Sequence, residues 1–163
     1  MIKKLLLIFS IIVCSMILLS GCAEITKVKN KEIKAYLEEL VQDNANFKEL
    51  KIYQSDITLM IRYEFNESID EELAKDLFNK TKDYILQEET QKLIMNSIKN
   101  SFYYRKHNKS FTSRINISFS TTKPSDEYNY YTKDFGETWK YSHFIYEGTS
   151  YNTVNEYEIK SDF

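Results

Sequence analysis

Cysteine is almost missing from this 163-residue chain: Cys14 and Cys22 are the only two, and positions 23–163 contain no thiol. A disulfide framework, a thiol redox centre and a cysteine-rich zinc site are therefore excluded from the bulk of the chain. Histidine is equally scarce. His107 sits in a basic polar stretch and His143 in an aromatic one, and neither belongs to a His-Glu-x-x-His spacing, so no metal-ligand set can be read. Glycine occurs three times, as Gly21, Gly136 and Gly148, which leaves no phosphate-cradling loop and no Gly-x-Ser-x-Gly elbow. With them go the usual supports for a nucleotide-binding or serine-hydrolase reading, and no cofactor motif takes their place. Neither sign of charge dominates: 22 basic against 24 acidic residues, interspersed, give a formal net charge of −2 and no nucleic-acid footprint.

What is present begins with a leader. Lys3 and Lys4 precede an uncharged run from Leu5 to Leu19, broken only by Ser10, Cys14 and Ser15. As a helix this run covers about 22 Å, short of the roughly 30 Å of a bilayer core, and it reads as the apolar region of a signal peptide. It ends in Leu19, Ser20, Gly21 and Cys22, a sequence that resembles the bacterial lipobox. The resemblance implies cleavage before Cys22, lipid on the Cys22 thiol and a protein held at the extracytoplasmic face of the cell membrane. An uncleaved membrane anchor would leave the domain on the same side. The richness in Lys, Asn, Ile, Tyr and Phe fits an AT-rich genome, and with the lipobox it points to a Gram-positive bacterium.

Removal of residues 1–21 takes Lys3 and Lys4, and leaves 20 basic against 24 acidic residues, a net −4. Residues 22–163 suit one domain and are too few for the two lobes of a typical solute-binding lipoprotein. Residues 22–30 are expected to be a short tether, and 31–163 a single domain.

Periodicity then orders the chain. Asn30 can cap a helix to about Asp43, with Ile33, Tyr36, Leu37, Leu40 and Val41 on one face. Residues 48–53 and 57–66 follow a period of two, with Ile57, Leu59, Ile61, Tyr63 and Phe65 on one side of the second strand. Ser68 and Glu71 form a capping-box pattern ahead of a long helical stripe that loses phase at Gln87 to Gln91, where a break is expected. Ile115, Ile117 and Phe119 mark a further strand that stops before Pro124. Two more are expected near 128–133 and 138–147, joined around Asp134 and Gly136, and 151–160 reads as a last strand or a frayed tail. The order predicts an α+β fold, an antiparallel sheet of four to six strands with two main helices on one face.

No catalytic or metal site can be assigned. Asp126 with Glu127, and Asp134 with Glu137, are the nearest carboxylate pairs, of the kind a small cell-wall-active enzyme would need. The unusual feature is the aromatic density of the last third. Tyr130, Trp139, Tyr141 and Tyr146 are its candidate binding surface, since exposed aromatics with polar tips make protein hot spots. The expected function is accordingly a non-enzymatic, membrane-anchored protein-interaction module. An immunity protein against a secreted toxin and an accessory subunit of a membrane complex are two such jobs.

Overall fold

The computed structural model describes residues 25–55, 58–99, 114–122, 126–134, 136–147 and 150–160. The leader, the lipobox with Cys22, Ile57, His107 and Pro124 lie outside them. Among the described residues no helix is long and apolar enough to cross a membrane.

Seven strands form one sheet in chain order: β1 (Ile25–Lys27), β2 (Phe47–Ser55), β3 (Thr58–Phe65), β4 (Arg114–Thr121), β5 (Asp126–Thr132), β6 (Thr138–Glu147) and β7 (Ser150–Lys160). Each neighbouring pair is antiparallel except β3 and β4, which run parallel from Thr58↔Arg114 to Phe65↔Thr121. Among the described residues three helices accompany the sheet: α1 (Lys31–Glu39) between β1 and β2, then α2 (Glu71–Ile85) and α3 (Glu88–Ile98) between β3 and β4. The chain is thus mixed in class and mostly sheet. Of the two readings of 151–160 the structure shows the last strand, β7, and the expected four to six strands become seven because part of the supposed tether pairs as β1. One pair departs from the antiparallel expectation because two helices intervene, and such a crossover returns the chain in the direction it left.

The alternation read in β3 is real: Leu59, Ile61, Tyr63 and Phe65 are buried, and Thr58, Met60, Arg62 and Glu64 are half-buried. Register carries that parity across the sheet, aligning Ile61, Ile117, Tyr130, Tyr141 and Tyr157 in one row. The helices pack on this side. Phe78 of α2 stacks on Tyr130 at 4.0 Å and meets Trp139 edge-on at 5.0 Å, while Tyr63 shares a 2.8 Å hydrogen bond with Thr81 of α2. Tyr36 of α1 stacks on Tyr84 of α2 at 3.9 Å, joining the helices to each other.

Local chemistry sets the boundaries. Asn30 caps α1 by accepting from the N–H groups of Glu32 and Ile33, and α1 stops at Glu39, short of Asp43, where turns take over. The cap of α2 is Asp70, not Ser68: its carboxylate accepts from Leu73 N at 2.7 Å. The expected break falls at Leu86 and Gln87, and the Gln91 side chain bridges it by donating to the Ile85 carbonyl.

Candidate functional site

Three of the four aromatics expected at the surface are in the core. Tyr130, Trp139 and Tyr141 are each 0% exposed, because the face they share is the one the helices cover. Trp139 also turns its indole N–H inward to the Gly136 carbonyl at 3.1 Å. Tyr146, at 39% exposure near the end of β6, is the one left outside.

The carboxylate pairs expected from sequence dissolve as well. Asp134 accepts from the Thr132 hydroxyl at 2.6 Å and the Thr138 N–H at 3.1 Å, and so closes the turn between β5 and β6. The Thr132 bond, then the one from Thr138, holds its carboxyl below the usual range. Asp126 and Glu127 are successive strand residues and point to opposite faces. Asp126 meets His143 Nε2 at 2.6 Å beside the stacked Tyr128 ring, which accounts for that histidine. Among the described residues no group of three metal-capable side chains comes together.

Glu127 reaches the other face, which none of the described helices covers. There one row runs Glu64, Ser120, Glu127 and Phe144 across four strands, and the next runs Lys51, Arg62, Ser118, Asn129 and Ser142. Arg62 sits at the centre. It donates through Nε to Ser120 Oγ at 3.1 Å and lies 3.5 Å from Glu127 and 3.6 Å from Glu64. Lys51 adds a 2.6 Å contact to Glu64 and a 3.1 Å contact to Glu49.

The two carboxylates of this cluster are pushed apart electrostatically. Burial raises the Glu127 carboxyl above its usual range, and Arg62 only partly offsets that. Burial also works against the charged form of Glu64, but the hydrogen bond and charge of Lys51, with Arg62 nearby, outweigh it and lower the value. Two amide oxygens on this face, those of Asn116 and Asn129, are shielded from water with no hydrogen-bond partner among the described residues. Tyr53, Tyr131 and Phe144 supply half-buried aromatic area to the same side.

Toward β1 the face runs into a depression of about 650 Å³ at the sheet edge. Lys27, Lys29, Lys34, Lys51 and Arg62 line it, against two carboxylates, Glu49 and Glu64. It exists because β1 is three residues long and leaves the rest of the nine-residue β2 without a strand on that side.

Sequence reasoning missed the Arg62 cluster because its members are far apart in the chain, 58 positions in the Arg62 to Ser120 bond. Only the β3 to β4 register unites them, and no local pattern encodes that register. The chain matches no family model, no curated protein and no solved structure.

Proposed function

We propose that this chain is an extracytoplasmic lipoprotein, anchored through Cys22, that binds a protein partner through the sheet face that none of the described helices covers and performs no catalysis. The observation that carries the reading is the face itself. It is broad, polar at its centre and held in place by the Arg62 contacts, and the described helices all pack on the opposite side. Half-buried Tyr131 and exposed Tyr146 supply the aromatic anchors that interfaces concentrate. An immunity protein and an accessory subunit of a membrane complex both need such a face.

The test is co-purification from membranes after cross-linking. Tyr131→Ala and Tyr146→Ala should lose a partner that wild type retains, with unchanged melting. Retention by both variants would sink the reading.

A second reading, a small cell-wall-active enzyme, is favoured by one observation. Glu64 and Glu127 flank Ser120 in a single row with their backbones two strands apart, both carboxylates reach the one Arg62 guanidinium at 3.6 and 3.5 Å, and their carboxyls are shifted in opposite directions. Inverting glycosidases hold their carboxylates roughly 6.5 to 9.5 Å apart. Release of reducing ends from purified wall glycan, abolished in Glu127→Gln, would establish this activity, and no release by wild type would remove it.

A further inference from the structure

The sheet edge at β1 carries a charge that the Arg62 cluster does not use. Lys27, Lys29 and Lys31 are exposed and make no ion pair among the described residues, and Lys34 beside them contacts only Glu38, at 3.5 Å on the surface. Ile25, at 63% exposure, is the most exposed large apolar side chain of the described structure and lies at the same edge. Against these lysines stand Glu24 and Glu32, close in sequence, Glu38 on Lys34, and Glu49 and Glu64 at the depression, of which Glu64 is already taken up by Lys51.

We infer that this edge docks onto an anionic lipid surface, so that the domain stands on the membrane with β1 down and β7 up. The inference rests on the lipid-anchored reading of Cys22. Three residue steps separate Cys22 from Ile25, a reach of at most about 10 Å. That holds the start of β1 within about one Debye length of the headgroups, with Lys27 two residues further along the strand and Lys29 and Lys31 following it. Each lysine near an anionic leaflet is worth about fivefold in the ratio of docked to free domain. An exposed isoleucine among lysines is the composition that sits at a bilayer interface, and its place beside the anchor favours lipid over a soluble acidic protein.

The structure also supplies a ruler. Val154 on β7 is 57% exposed, and six strand spacings, about 29 Å, separate β7 from β1. Apart from the lipidated Cys22, the mature chain has no cysteine, so Val154→Cys takes a single fluorescent donor.

The experiment uses full-length protein processed in its host, with acylation of Cys22 checked by mass. The protein is reconstituted into vesicles of phosphatidylcholine alone or mixed equally with phosphatidylglycerol, both carrying a headgroup acceptor. Energy transfer should be lower in the anionic vesicles, where the donor is held away from the membrane. It should return to the neutral-vesicle level in high salt and in Lys27→Gln/Lys29→Gln/Lys31→Gln. The matching Lys→Arg chain should keep it low. Equal transfer in both lipids from an acylated chain, or no response to the Gln substitutions, would overturn the docking alone. A chain with no acyl mass on Cys22 would overturn the anchor and the docking together.

Discussion

Tyr130 and Tyr63 are both fully buried, yet they handle their hydroxyls differently. Tyr63 shares its hydroxyl with Thr81, itself 0% exposed, whereas the Tyr130 hydroxyl has no hydrogen-bond partner among the described residues. Tyr63→Phe should therefore cost about 1 to 3 kcal/mol, because it strands the Thr81 hydroxyl. Tyr130→Phe should be neutral or stabilising, and Tyr130→Ala should cost about 3 to 5 kcal/mol by emptying the space against Phe78. Urea midpoints of the three variants check the ordering. The same residues show what a sequence can tell. Strand parity correctly sets Tyr130 against Tyr131 and groups Trp139 with Tyr141, but a tyrosine suits a core as well as a surface. The helices decide which face is inside, and for Tyr130 the covering residue is Phe78 of α2.

Glu127 and Glu64 divide the pH dependence between them. The Glu127 carboxyl is raised from the ordinary 4.5, so the folded chain holds that proton more tightly than the unfolded one, and stability falls as pH rises through the window above 4.5. The Glu64 value is lowered from 4.5, so its contribution is present above 4.5 and is lost as pH falls through the folded value. Glu127→Gln should remove the falling limb, and Glu64→Gln should remove the acid-sensitive gain. Denaturation midpoints between pH 3 and about 7 read both, and identical profiles for the two variants would contradict the assignment.

At the scale of elements, long periodic segments and the Asn30 cap were legible, while the α2 cap and the shortest strand were not. The α2 and α3 stripes change face at Leu86 and Gln87 because the chain turns there, and a phase slip in sequence is a direct image of that turn. The start of α2 was misread because Ser68, Asp70 and Glu71 all suit a helix entry, and only geometry shows that Asp70 takes the Leu73 N–H. Asp70→Ala should cost about 1 kcal/mol, and Ser68→Ala a few tenths at most, by thermal melting. Three-residue β1 gives no periodic signal at all. It forms because β2 offers it a ladder, with Val28 N–H continuing to the Ile52 carbonyl at 3.0 Å. The turn between β5 and β6 was legible from Asp134 and Gly136. Gly136 has φ of 92°, and a methyl there would meet Leu86 at 3.0 Å, so Gly136→Ala joins backbone strain to a clash.

For the whole molecule, fold class followed from the alternation of helical and strand periods, while topology did not. Which strand lies beside β3 is a matter of pairing across the crossover, and its consequence, the Arg62 site, was hidden for the same reason. The parallel β3 to β4 ladder is also a seam. On one side β1 to β3 form an antiparallel ribbon, on the other β4 to β7 form a continuous meander, and every strand bond between these two groups passes through that ladder. The molecule is in this sense two self-contained ribbons zipped along eight residue pairs and covered by shared helices. Cutting the chain between Lys99 and Arg114 would leave each ribbon continuous. The two pieces, expressed together, should reassemble into a 1:1 complex with the near-ultraviolet signature of the intact protein, because Trp139 of one piece regains Phe78 of the other. Ile117→Ala, on the seam at 0% exposure, should weaken that complementation more than Ser142→Ala, which lies within one piece.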